Sequence, residues 1–172
     1  LFVLAATFGI PAFAQSTSNV FSPDVTRGAP ESEFRLAYDP DLERFATRIH
    51  FQYGLTENIR TRIIFSGRGT DLNDLELRYV RWENQWQFAE DEEDGWDSAL
   101  RLGIGMAEGD NLPSRVRLAW SNKWALGDHW HYRLVGLVGR QVGAESRDTL
   151  NFSLRSRIAR DLTDSFSLAL DL

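Results

Sequence analysis

Residues 45–65, FATRIHFQYGLTENIRTRIIF, alternate with period two on both sides of a short turn, and that rhythm leaves few folds open. Phe45, Thr47, Ile49, Phe51 and Tyr53 fall on one side of an extended chain, with Ala46, Arg48, His50 and Gln52 on the other. After the turn residues 54–58, Ile59, Thr61, Ile63 and Phe65 continue one side against Arg60, Arg62, Ile64 and Ser66. The segment therefore predicts a β-hairpin. Each strand is long enough to cross a bilayer, which takes about 9–11 tilted residues. Arginine alternating with aromatic and β-branched residues is the pattern of a barrel with lipid outside and a polar interior.

The same rhythm recurs along the chain. A first strand is expected over 33–38, with Phe34, Leu36 and Tyr38 on one side, turning at Asp39-Pro40-Asp41. A fourth strand over 74–88 begins with Leu75, Leu77 and Tyr79 on one face and continues with Trp82, Trp86 and Phe88 on the other parity. That switch implies a register change near Val80-Arg81, such as a bulge. In the fifth strand Leu100, Leu102, Ile104 and Met106 oppose Arg101, Gly103 and Gly105, small interior residues that leave room for long neighbours. In the sixth, Val116, Leu118 and Trp120 oppose Arg115, Arg117 and Ala119. A seventh over 130–139 points Trp130, Tyr132, Leu134, Gly136 and Val138 outward, although Val135 and Leu137 make its faces alike. In the eighth, over 150–158, Leu150, Phe152 and Leu154 oppose Asn151, Ser153, Arg155 and Arg157. The ninth sets Phe166, Leu168, Leu170 and Leu172 against Ser167, Ala169 and Asp171.

Ahead of this pattern, residues 1–14 read as a secretory signal peptide, an apolar run broken at Pro11 and ending in Ala12-Phe13-Ala14. The alternative is a buried N-terminal helix. Residues 15–32, rich in Ser, Pro, Gly and Asp, are expected to be a flexible lead-in, and 33–172 the barrel domain. There are no cysteines, hence no disulfide or thiolate metal site. Mean hydropathy is −0.35, against any helical span beyond residue 14. A net charge of −6 disfavours a nucleic-acid partner. Apart from Lys123, every basic residue other than histidine is arginine, whose planar fork suits hydrogen bonding in a confined interior.

Three connections echo one another: Leu55-Thr56-Glu57-Asn58-Ile59, Leu126-Gly127-Asp128-His129-Trp130 and Leu162-Thr163-Asp164-Ser165-Phe166. Such compact turns, with acids positioned to accept backbone hydrogen bonds, suit tight hairpins. They alternate with longer connections, as short periplasmic turns alternate with longer external loops in outer-membrane barrels. Trp82, Trp86, Trp96, Trp120, Trp124 and Trp130 lie toward the short-turn end, where they would form an aromatic girdle; the alternative is the core of a soluble β-sandwich.

The Tyr53-Gly54-Leu55-Thr56-Glu57-Asn58-Ile59 turn and its echoes resemble those of transporter-like outer-membrane β-barrel proteins of Gram-negative bacteria. The resemblance covers nearly the whole mature chain as a pattern, and no functional residue is carried over from it. The expected fold is all-β: an antiparallel up-and-down transmembrane β-barrel of about 8–12 strands, some nine of them visible here. Because bacterial single-chain barrels have even strand counts, a truncated C-terminus is expected; the alternative is an eight-stranded barrel without the first strand.

Candidate lumen-facing residues are Arg48, His50, Arg60, Arg62, Arg78, Arg101, Arg115, Arg117, Arg133, Arg155 and Arg157, with Glu76 and Asp171 among few inward acids. An arginine-lined lumen favours anions, so the expected function is passage of small, anionic solutes across the outer membrane, with membrane lipid as the surrounding partner. The alternatives are a closed structural or adhesive barrel acting through loops 67–73, 108–113 and 142–148, and a lipid-modifying enzyme. The latter lacks a recognisable nucleophile, and no catalytic residue is assigned. The acidic run 90–95 reads as a solvated turn rather than a calcium loop. His129 and His131 share a face, but two ligands without a third do not make a metal site. No cofactor is expected.

Overall fold

The computed structural model describes residues 20–91, 95–109, 113–142, 149–163 and 166–171. These form one antiparallel nine-stranded sheet in sequence order: β1 (Pro30–Asp39), β2 (Arg44–Gly54), β3 (Ile59–Gly69), β4 (Glu76–Asp91), β5 (Trp96–Ala107), β6 (Arg115–Ala125), β7 (Trp130–Gln141), β8 (Leu150–Thr163) and β9 (Phe166–Asp171). The sheet curls strongly into a half-barrel, so the expected all-β up-and-down architecture is present. The expected signal peptide, part of the acidic run, part of loop 108–113, most of loop 142–148 and Leu172 lie outside the described residues.

Two of the three echoed turns share a hydrogen bond, and Asp164 and Ser165 of the third lie outside the described residues. The Leu55 amide donates to the Ile59 carbonyl at 2.8 Å, and the Leu126 amide donates to the Trp130 carbonyl at 2.7 Å. In the first of these turns the backbone acceptor is the Thr56 hydroxyl, 3.0 Å from the Ile59 amide, rather than the neighbouring Glu57 carboxylate. At the opposite end of the sheet Asp39 and Asp71 take that role. The Asp39 carboxylate accepts from the Asp41 and Leu42 amides, and Asp71 from those of Asn73 and Asp74.

Alternation places large apolar side chains on the convex face. Phe34, Ile49, Phe51, Ile63, Leu102, Leu118, Phe152, Leu154 and Leu168 are all exposed there, in rows that cross most of the strands. The small apolar core lies instead on the concave face, where Val20, Ala119 and Val135 pack with Phe21 and Leu137.

β4 corrects the expected register. The break falls where Ser66 faces Tyr79 and Gly67 faces Leu77, so Arg78 is the extra residue rather than Val80 or Arg81. From Tyr79 to Gln87 the odd-numbered residues therefore face inward, with Arg81, Glu83, Gln85 and Gln87 buried, until a second shift between Gln87 and Ala89 reverses the parity. The glycines of β5 make the expected room. A Cβ on Gly103 would lie 3.2 Å from Glu83 Cγ, and one on Gly105 would run into the Tyr79 ring.

Candidate functional site

The concave face is organised around Glu83 and Gln85. The Glu83 carboxylate accepts from Arg62, with Nε at 3.0 Å, and also pairs with Arg81 at 2.7 Å and Arg101 at 3.5 Å. Three guanidinium groups thus share one acid, two strands carrying cations to either side of β4. Gln85 Oε1 accepts from Arg60 at 3.0 Å and from Arg101 Nε at 3.1 Å. Its amide nitrogen donates to the carbonyls of Ser22 at 3.1 Å and Pro23 at 2.7 Å. Burying these polar groups is tolerable because they satisfy one another.

Those last two bonds reach a segment that the sequence marks only as a lead-in. Residues 20–28 lie across the concave face and descend toward the short-turn end before β1 begins. Phe21 sits beneath Arg101, whose guanidinium carbon is 3.5 Å from the ring centroid, and the Ser121 hydroxyl donates to the Phe21 carbonyl at 2.8 Å. Pro23 is fully buried. The Val25 amide donates to Gln87 Oε1 at 2.8 Å, and the Lys123 ammonium bridges Asp24 at 2.9 Å and Asp97 at 3.2 Å. The Gly28 amide closes the run by donating to the Gly54 carbonyl at 2.8 Å. Gly54 must be glycine for this seat, because a Cβ there would overlap the Thr26 carbonyl. Residues 30–32, expected in the lead-in, belong to β1.

Burial opposes ionisation of Asp24, but the hydrogen bonds from Lys123 and Ser22 outweigh it and hold the carboxyl below its ordinary value. Beside Phe21 lies a small void of about 20 Å3, lined by Arg62, Arg81, Arg101 and Arg117 among others.

Most of the expected lumen residues fall on this face. Arg48, His50, Arg60, Arg62, Arg101, Arg115, Arg117, Arg133, Arg155 and Arg157 occupy its strand positions, half-buried or buried. His50 pairs with Glu33 at 3.2 Å, Arg115 lies 5.4 Å from the Tyr79 ring centroid, and Arg157 binds Asp171. Arg117 and Arg133 have no carboxylate partner among the described residues. Arg78 stands apart. As the bulge residue it is half exposed at the long-loop rim, between Glu76 and Glu108, and Glu76 is exposed with it. The interior residues of β4 that sequence reading missed are Arg81, Glu83, Gln85 and Gln87; Glu33, Asp97, Ser121 and Lys123 on other strands were missed as well. The outward parity of Trp82, Trp86 and Phe88 was the signal for those of β4.

On the convex face Trp96 pairs with Trp124, which stacks on Tyr132 at 5.6 Å, and Trp86 and Trp120 flank Leu100. Trp130 opens β7 at the same end, whereas Trp82 lies further along, between Ile63 and Ile104, its indole donating to Thr61 at 2.9 Å. Between these rings sits a fully buried polar pair. Trp120 Nε1 donates to Ser98 Oγ at 2.8 Å, Ser98 donates to Asn122 Oδ1 at 3.0 Å, and Trp96 Nε1 reaches the same oxygen at 3.3 Å.

At the short-turn end a cavity of about 220 Å3 is lined by Glu90, Asp91, Asp97, Lys123 and His131 among others. His131 Nε2 lies 2.7 Å from Asp161, while His129 is exposed in the turn. No group of three or more metal-ligating side chains forms among the described residues. No protein-family model matches the chain, and neither a curated protein nor a solved structure matches it.

Proposed function

We propose that the protein is an outer-membrane β-barrel that passes or binds small anionic solutes through its arginine-lined interior. The observation that carries this reading is the charge balance at mid-strand, where Arg62, Arg81 and Arg101 share the single carboxylate of Glu83. Arg117 and Arg133 add guanidinium groups without an acidic partner among the described residues. Rings of arginine attract anions and repel cations. The membrane setting is supported by the convex face, where large apolar side chains stand exposed in rows across most of the strands, whereas soluble monomers rarely expose extended apolar patches. The tryptophans gathered at one end of that face fit an interfacial girdle.

A closed barrel with a structural role is the second reading. The small void beside Phe21 favours it, since residues 20–28 lie across the concave face there.

The test is conductance of the refolded full chain in planar bilayers, with the reversal potential read in a salt gradient. Anion preference is expected, and Arg117→Glu should reduce it. Selectivity for cations, or selectivity indifferent to that substitution, would overturn the anion path. A heat-modifiable barrel that passes no current in any variant would leave the closed barrel standing.

A further inference from the structure

We propose that residues 20–27 are a releasable strap that closes the arginine-lined interior at its short-turn end, with the Asp24 carboxylate occupying the place of an anionic solute. This rests on the reading of the interior as an anion path.

The way the segment is held distinguishes it from wall. A tenth strand would pair through a ladder of backbone bonds, each N–H and C=O matched to its neighbour. Here the carbonyls of Phe21, Ser22 and Pro23 and the amide of Val25 are all bound by side chains: Ser121, Arg60, Gln85 and Gln87. Polar side chains on a wetted wall exchange such bonds for bonds to water or solute at a small net cost each. Backbone pairing begins only at Gly28, with its bond to Gly54. Gly28 has φ +70°, a conformation open to glycine, and marks the pivot between strap and β1.

The strap covers the cations that an entering anion would meet. Phe21 caps Arg101 and the arginine-lined void around Glu83. Asp24 takes up Lys123, the sole lysine of the chain. Arg60 is held at the Ser22 carbonyl at 3.2 Å. An anionic solute competes for the same three groups. Its binding and the strap's are therefore mutually exclusive, and a solute that binds the open form shifts the balance toward it.

Two variants release the strap by different means, and a third measurement needs neither. Gly54→Ala places a Cβ where the Thr26 carbonyl lies, and Asp24→Lys turns the Lys123 attraction into repulsion. In planar bilayers each should raise the open fraction of the refolded full chain, Asp24→Lys by about tenfold, the effect of losing one charge-assisted hydrogen bond. Separately, Val20→Cys in the otherwise unchanged chain, which has no cysteine of its own, reports cover directly. Val20 is 6% exposed and Leu55, in the turn, 51%. A charged, water-soluble thiol reagent should label Val20→Cys far more slowly than Leu55→Cys, and Gly54→Ala should narrow the gap.

Equal labelling of the two sites in the parent chain overturns the strap, as does a conductance that both releasing variants leave unchanged. A larger conductance without anion preference keeps the strap and removes the anion reading.

Discussion

The Arg101 guanidinium is stacked on Phe21, its central carbon 3.5 Å from the ring centroid, while its Nε donates to Gln85 at 3.1 Å. A cation on β5 is thereby held between the wall and the strap, apolar face against the ring and N–H groups toward β4. Phe21→Leu keeps part of the packing and loses the ring's negative face, so it should cost about 1 kcal/mol, whereas Phe21→Ala loses both and should cost about 2–3 kcal/mol. Denaturant unfolding of the refolded barrel reads both values, and a Phe21→Leu variant as stable as the parent would show that the ring's electrostatics contribute nothing.

Glu83 is 6% exposed and pairs with Arg62, Arg81 and Arg101. Glu83→Gln leaves three buried guanidinium groups without their shared charge and should destabilise the barrel by about 3–5 kcal/mol. Adding Arg62→Gln to that variant removes one of the stranded charges and should recover part of the loss. A double variant less stable than the single one would contradict the shared-charge account.

The Ser98 hydroxyl joins Trp120 to Asn122 beneath the tryptophan rings of the convex face. Ser98→Ala leaves the Trp120 N–H without its partner and the Asn122 carbonyl with only its longer bond from Trp96, at a cost of about 1–3 kcal/mol. Trp120→Phe should cost less, because Ser98 keeps its bond to Asn122. The comparison is made by unfolding in lipid vesicles, with the shift of tryptophan emission as a second reading.

Asp24 carries the pH dependence of the strap. Its carboxyl, ordinarily at 3.8, is held lower in the folded chain because the bonds from Lys123 and Ser22 exceed the penalty of burial. Arg60, Arg133 and Asp97 also act on it electrostatically. A depressed folded value means that the stabilisation is fully present above 3.8 and is lost as pH falls through the lower folded value. The strap should therefore be seated at neutral pH and loosen only in strong acid. Asp24→Asn should flatten stability against pH in that acid window, and an unchanged slope would remove Asp24 as its source.

Leu118 lies on the convex face, 44% exposed and opposite Leu102. If that face meets lipid, Leu118→Arg should destabilise the barrel in vesicles by about 2–4 kcal/mol. On a water-facing sheet the same change should stay within about 0.5 kcal/mol. A small effect would argue for a soluble barrel.

Much of the wall was legible before the structure. Alternation named the convex rows and most of the inward arginines, since a strand's side chains leave its two sides in strict turn. β4 was legible only in part. The mismatch between Leu77 and Trp82 required one extra residue somewhere between them, but its position depends on how β3 pairs across the gap at Ser66 and Gly67. Placing it at Arg78 turns Arg78 to the rim and Arg81, Glu83, Gln85 and Gln87 inward, which supplies the acid around which the interior is arranged.

By itself the sequence determined the strands, the short and long ends and the chemistry of each face, because period and turn composition are properties of neighbouring residues. Only the tertiary structure decided what fills the concave side. Pro23 meets Gln85 across 62 positions, Asp24 meets Lys123 across 99, and Phe21 meets Ser121 across 100. Contacts so distant leave no local pattern in a stretch of Ser, Pro and Gly. They exist because curling the sheet brings β3 to β6 around one groove, whose inward polar side chains find their partners in the backbone laid across it.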